Sequence, residues 1–373
     1  MKKIIQSVFF ILMICFFFTS FNLVSFSKDA NENQILKPES RLLNKNILKI
    51  EEMSVKVRES DDILILSDSP EMVKKVGIMY QDTVSGDVRL FFHHVNDTPS
   101  IKKILVLLIN EGTETAEITI TNYGLGGPGY DYLKIGKDVQ DEYFDQKNYK
   151  KRIAYPGETI LLDPQLDTFV VKSGELLNGM YDFKTTAPVK VVVMMMPVYE
   201  KIPNFLKIAK ILPCDKERLR GTFKGKDRLI ILDKNYKSFE DGYKVITLAD
   251  NKVDKFSYGI DATDGSQTQN YGNYGVMYHL YLPSHSESNF SMFLNPRGGV
   301  YAGNVLISYK HAFEDNVKTP RDRLFFGQDS TVDFAHLGDF RGGYSLWMTF
   351  SPPGASNLPV KLILVPNEEK HKK

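Results

Sequence analysis

Cysteine is almost missing from this 373-residue chain, which holds only Cys15 and Cys214. The first lies in an apolar N-terminal run and the second beside Pro213, so no internal disulfide is expected and the core must hold the fold alone. An excess of either charge is missing too. The 47 Lys and Arg residues face 46 Asp and Glu residues, a formal net charge of +1. That balance argues against the basic footprint of a nucleic-acid binder and against an acidic cation sponge.

Motifs for metals and nucleophiles are absent as well: H-x-H, H-E-x-x-H, C-x-x-C and G-x-S-x-G do not occur. His93 and His94 adjoin in a strand-like run, so their side chains point to opposite faces and cannot chelate one ion. Asp333 and His336 would meet on a helical turn, but no third ligand accompanies them. The Asp261 to Ser266 segment departs from calcium-loop spacing and reads as a polar turn. No cofactor and no metal site is expected.

Long apolar runs are confined to the start. Met1, Lys2 and Lys3 precede an apolar run over 8–18 and a polar exit through Ser25 and Ser27. This is the pattern of a signal peptide, residues 1–27, cut after Ser27. The alternative is an uncleaved anchor, since the roughly 23 residues from Ile4 to Phe26 suffice to cross about 30 Å of hydrocarbon. Either route puts the remainder outside the cytoplasm, secreted or at the cell surface. Membrane contact would come only through this segment if it is kept. Loss of Lys2 and Lys3 takes the net charge from +1 to about −1 (+1 − 2).

Strand-like runs fill the rest of the chain. Residues 28–57 are polar without period and read as a flexible tether. Strand patterns recur at 62–66, 76–80, 88–93, 104–109, 116–122, 179–183 and 189–195, then again from 228 to 365. One amphipathic helix is predicted over 131–147, with a start after Gly136 as the alternative. The glycine-rich run Gly124, Gly126, Gly127, Gly129 reads as a mobile turn. Two prolines and a charge cluster make 199–221 a linker. The expected class is therefore all-β: two antiparallel β-sandwich domains, 58–198 and 222–367, with one short helix in the first and a tail over 368–373. The halves echo each other. DILILSD (62–68) matches DRLIILD (227–233), and APVKVVVMMMP (187–197) matches LPVKLILVP (358–366), as an internal duplication would produce.

A cluster of Tyr258, Tyr271, Tyr274, Tyr278, Tyr281 and Tyr301 among glycines marks residues 258–303. Tyrosine faces suit sugar rings, and Asn295 or Arg297 could add hydrogen bonds. Tyr271, Tyr274, Tyr278, Asn295, Arg297 and Tyr301 are the candidate ligand-binding residues. No catalytic set is complete.

At VRLFFHHVN (88–96), GLGGPGYDYLKIG (124–136), LNPRGGVYAG (294–303) and PPGASNLPV (352–360) the chain resembles a group of uncharacterised secreted proteins from Gram-positive, spore-forming bacteria. The resemblance covers about residues 60–366 and implies export. Some of that group carry a module similar to the copper amine oxidase N-terminal domain. The oxidase cofactor motif T-x-x-N-Y-[DE] is not met at Thr268, Asn270, Tyr271 and Gly272, so neither copper nor a quinone is implied. The expected function is a secreted or surface, non-catalytic binding protein for cell-wall polysaccharide or peptidoglycan. The competing classes are an extracellular carbohydrate-active enzyme working through carboxylates, and a purely structural surface protein.

Overall fold

A computed structural model describes residues 38–43, 45–145 and 149–367. The signal segment 1–27, the tether up to residue 37 and the tail 368–373 lie outside the described residues. The all-β class holds: the strands assemble into three sheets, and helices are few.

The largest sheet runs in the order β15 (Ser266–Gln269), β14 (Tyr258–Asp261), β11 (Arg220–Lys224), β3 (Ile63–Ser67), β5 (Gly77–Asn96), β10 (Leu176–Pro197), β6 (Lys102–Ile109) and β9 (Thr159–Leu161). β7 (Ala116–Gly129) joins the far side of β10 and carries β8 (Lys150–Ala154), while β4 (Met72–Val73) sits on β5. A second sheet has β1 (Glu51–Glu52), β13 (Lys244–Leu248), β22 (Val360–Pro366), β17 (Asn289–Pro296) and β20 (Ala335–Arg341). The third has β19 (Asp315–Thr319), β18 (Gly303–Tyr309), β21 (Leu346–Phe350), β16 (Met277–Tyr281), β12 (Asp227–Leu232) and β2 (Val55–Glu59).

Why β3 reads as unbroken apolar sequence is clear from its surroundings. Ile65 packs with Leu90 and Phe92 in one core, whereas Leu64 and Leu66 face another that contains Phe91. With both faces covered, polar alternation has no place. The second and third sheets contribute jointly to that other core, through Met292, Leu294 and Leu364 on one side and Leu280, Met348 and Phe350 on the other.

Two differences from the sequence expectation concern strand length. Runs at 76–80 and 88–93 are one strand, β5, and runs at 179–183 and 189–195 are one strand, β10. Pro188, which has no N–H for a ladder bond, falls in the register break between Thr185 and Val189. The strand bends there and continues, so proline marks a bulge rather than an end.

The glycine-rich run is a further correction. It is not a mobile turn but the last part of β7, and helix α1 (Tyr132–Asp145) lies directly on it. A Cβ at Gly124 would drive into the Val139 carbonyl oxygen. Gly136 sits inside α1 rather than before it, because a Cβ there would strike the carbonyl oxygen of Gly354. α1 is also fixed by Gln140, which bonds Ser351 O and the Asn304 backbone N–H, and by Asn304, which donates to Lys137 O.

Residues 38–57, expected as tether, carry two short 3₁₀ turns and the strands β1 and β2, with Leu42 and Ile47 buried against Val245, Phe293 and Ile363. The expected linker contains α2 (Ile202–Leu206) and leads into β11. β2, just before β3, pairs with β12 (Val57↔Ile230), and β11, just before β12, pairs with β3 (Thr222↔Ile65). Residues from Pro38 onward form one compact unit. Buried Arg89 adds a further tie. It holds Asp182 through Nε (2.7 Å) and Nη2 (2.8 Å), Asp227 through Nη1 (2.9 Å) and the Tyr143 hydroxyl through Nη2 (3.1 Å).

Candidate functional site

The six expected ligand-binding residues are not brought together. Tyr278 is fully buried: its hydroxyl donates to Asp254 Oδ2 (2.6 Å) and accepts from Asn273 Nδ2 (2.7 Å). Burial pushes that phenol well above its ordinary pKa. Tyr301 is likewise buried, edge-on to Phe326 at 5.9 Å. Asn295 donates from Nδ2 to Ser330 O and Asp333 O, both at 2.8 Å, and Arg297 donates to Ser330 Oγ (2.9 Å). These residues hold up loops and leave little or no surface for a ligand. Tyr274 and Tyr271 alone reach hollows, and they reach different ones.

Tyr271 belongs to a shelf at the outer edge of the largest sheet. β14 and β15 form a hairpin with Tyr258 opposite Gln269 and Gly259 opposite Thr268. Tyr258 is 71% exposed and Tyr271 48%, and Phe256 supports Tyr271 edge-on at 5.9 Å. With Gln267, Gln269 and Arg218 they line a shallow hollow of about 210 Å³. Arg218 is held to one side by Asp264 (2.9 Å) and Ser266. Two rings and the exposed Gln267 amide can stack on a flat, hydroxylated ligand and hydrogen-bond its edge, beside a Gln269 amide whose Nε2 is buried.

Tyr274 lines a second hollow, of about 380 Å³, that no sequence motif pointed to. Its walls are Asp68 and Glu71 after β3, His93 on β5, Tyr132 and Leu133 at the start of α1, and the 354–357 loop. His93 Nδ1 meets Asp68 Oδ1 at 3.2 Å and Glu71 Oε1 at 3.9 Å. Burial pushes the Asp68 carboxyl up to about 6, and His93 only partly opposes this. Burial also pulls the His93 imidazole down, but the Asp68 charge and hydrogen bond outweigh it, leaving His93 above its ordinary value. His94, on the other face, takes no such role. Its ring nitrogens bond Ser67 Oγ (2.8 Å) and Pro70 O (2.9 Å), and burial lowers it to about 3. Ala355, in the wall loop, is held at φ 61°, a conformation that costs a non-glycine residue.

No protein-family model matches this chain, and no curated protein does. Solved structures give faint likenesses only. Oxalate decarboxylase from Lactobacillus farciminis is 10% identical, over 82% of this chain and 87% of that one, with a TM-score of 0.12. Oxalate decarboxylase from Bacillus subtilis is 10% identical, over 84% and 78%, with a TM-score of 0.11. The 11S allergen of Cocos nucifera is 11% identical, over 79% and 89%, with a TM-score of 0.10. At such scores the likenesses carry no argument about fold or function. Among the described residues no helix is long and apolar enough to cross a membrane.

Proposed function

We propose that this is an exported, non-catalytic binding protein whose β14–β15 shelf receives a cell-wall polysaccharide. The observation that carries the reading is the exposure of Tyr258 and Tyr271 on one hollow with Gln267 and Gln269 between them. Export rests on the N-terminal pattern in the sequence, and membership in the resembled group of secreted proteins belongs to the same proposal. The test is retention of the protein on purified cell wall and on a glycan array, with Tyr258→Ala and Tyr271→Ala singly and together. The double variant should lose at least about tenfold in retention, each ring being worth roughly 1 kcal/mol. Both sites are solvent-exposed, so melting should move by no more than about 0.5 kcal/mol. Failure of the unaltered protein to bind either matrix would sink the reading.

The build we propose for this protein is a duplicated β-sandwich unit. What supports it is strand pairing: β3 lies parallel to β5 and β12 parallel to β16, while β10 lies antiparallel to β6 and β22 to β17. Asn110 and Asn295, one in each half, are both buried and each donates twice to backbone carbonyls, Asn110 to Glu114 O and Ala154 O and Asn295 to Ser330 O and Asp333 O. Excision of either half, if it left a soluble, cooperatively melting remainder identical in strand content to the intact protein's share, would count against interlocked repeats.

A further inference from the structure

We infer that the cleft between the turn after β3, the start of α1 and the 354–357 loop binds a primary ammonium group carried on an aliphatic stem. This site is separate from the shelf and does not depend on it. Charge is the first argument. Among the described residues, neither Asp68 nor Glu71 has a partner of opposite charge other than His93, and Asp215 lies beside them, accepting from the Glu71 backbone N–H (3.1 Å) and Ser69 Oγ (2.7 Å). Two carboxylates, Asp68 and Glu71, thus share one imidazole, and the Asp215 charge adds to the field at Asp68. The Asp68 side chain is only 11% exposed, where an under-compensated charge is costly and an incoming cation correspondingly favoured.

The floor supplies the second argument. His93 is 3% exposed and Asn178 fully buried, and among the described residues His93 Nε2 and Asn178 Oδ1 have no hydrogen-bond partner. Both atoms lie beneath Gly354: a Cβ there would come within 2.7 Å of Asn178 Oδ1 and 3.2 Å of the adjoining His93 Cδ2. In the neutral tautomer that donates Nδ1–H to Asp68, the Nε2 lone pair and the Asn178 oxygen are both acceptors; the imidazolium that Asp68 favours would instead present an N–H to the Asn178 side. An ammonium has three N–H donors and no acceptor, which matches the Asp68 and Glu71 carboxylates of the wall, with the two floor acceptors behind Gly354. The stem is suggested by the neighbouring hollow of about 420 Å³, which shares Glu71 and is walled by Pro70, Met72, Leu212 and Pro213.

Two sources carry this chemistry, a free diamine and a lysine side chain. Cadaverine and Nα-acetyl-lysine amide serve as probes, with Nα,Nε-diacetyl-lysine amide as the neutral control, titrated calorimetrically into the full protein. We expect binding of one or both ammonium probes and at least about tenfold weaker binding of the control, one lost charge-assisted contact. Which ammonium probe binds tells the source. Glu71→Gln, at a half-exposed position compatible with folding, should weaken binding by about three- to tenfold, and Asp68→Asn by more.

Acidification should also weaken it. The groups facing His93 are Asp68, Glu71, Tyr132 and Tyr274, with His94 adjoining it in the chain and Asp215, Lys74 and Lys75 in the neighbouring hollow. Going from about pH 7.5 to about pH 5 protonates Asp68, while His93, held above its ordinary value, is cationic at the lower pH; the loss of the Asp68 charge alone gives about tenfold weaker binding. Equal binding of the diacetylated control, no binding of either amine, or affinities unmoved by Glu71→Gln would overturn the inference.

Discussion

Side chains in this protein divide by whether their polar atoms are already spoken for. His94 has both ring nitrogens engaged and is kept neutral, with its pKa lowered to about 3. In the unfolded chain it titrates near 6.5, so between 6.5 and 3 the unfolded state binds more protons and stability falls as pH falls. The loss should reach on the order of 4 kcal/mol at about pH 3. His94→Gln should start less stable at neutral pH yet show a shallower fall in chemical-denaturation midpoint over that window. Asp68, raised to about 6, works in the opposite sense between 6 and 3.8, but it does so in both proteins and cancels in the comparison. A variant as steep as the unaltered protein would show that the slope comes from elsewhere. Adjacency of His93 and His94 is readable in the sequence, and so is their separation onto two faces. The carboxylates that make His93 a cleft residue are not, because Asp68 and Glu71 meet it only through the parallel pairing of β3 with β5. Tyrosine is a poor guide for a related reason. Its ring suits a core as well as a ligand, and Tyr278 and Tyr301 go to the core.

Elements are more legible than sites. The apolar runs locate the core strands such as β3, β5, β6, β10, β12, β17 and β22 but miss the more polar β2, β8, β11, β14, β15, β19 and β20, and the helix expected over 131–147 is α1. What sequence could not reveal is which glycines are there for closeness rather than for turning. Gly136 would cost a free helix about 1 kcal/mol relative to alanine, so Gly136→Ala should stabilise α1 if nothing faced it. Because the Gly354 carbonyl does face it, the substitution should instead destabilise by about 1–3 kcal/mol through overpacking. Thermal melting reads the sign directly, and a rise in midpoint would disprove the close approach of α1 to the 354–357 loop. Pro188 teaches the same lesson in reverse. A residue that usually ends a strand merely bends β10, since both of its arms are paired on either side of the bulge.

At the scale of the molecule, the largest sheet draws strands from both sides of the expected 199–221 boundary, and Arg89 reaches Asp227 across it. Sequence patterns report faces and turns, but they carry no record of which half an edge strand will join. That choice is made by long-range pairing, as between Val57 and Ile230. Calorimetry should accordingly show one transition, with calorimetric and van't Hoff enthalpies equal within error. Two resolved transitions would mean that these paired strands do not couple the cores. This long-range pairing also sets a route for mechanical load. A pull on the chain ahead of residue 38 reaches Leu42, Ile47 and β1 first, then β2, and these are anchored on β13, Phe293, Ile363 and β12, so residues beyond 221 take the tension before β3 and its neighbours feel it. β3 and its neighbours are thereby shielded, and rupture under force should begin with β1 leaving β13, followed by β2 shearing from β12.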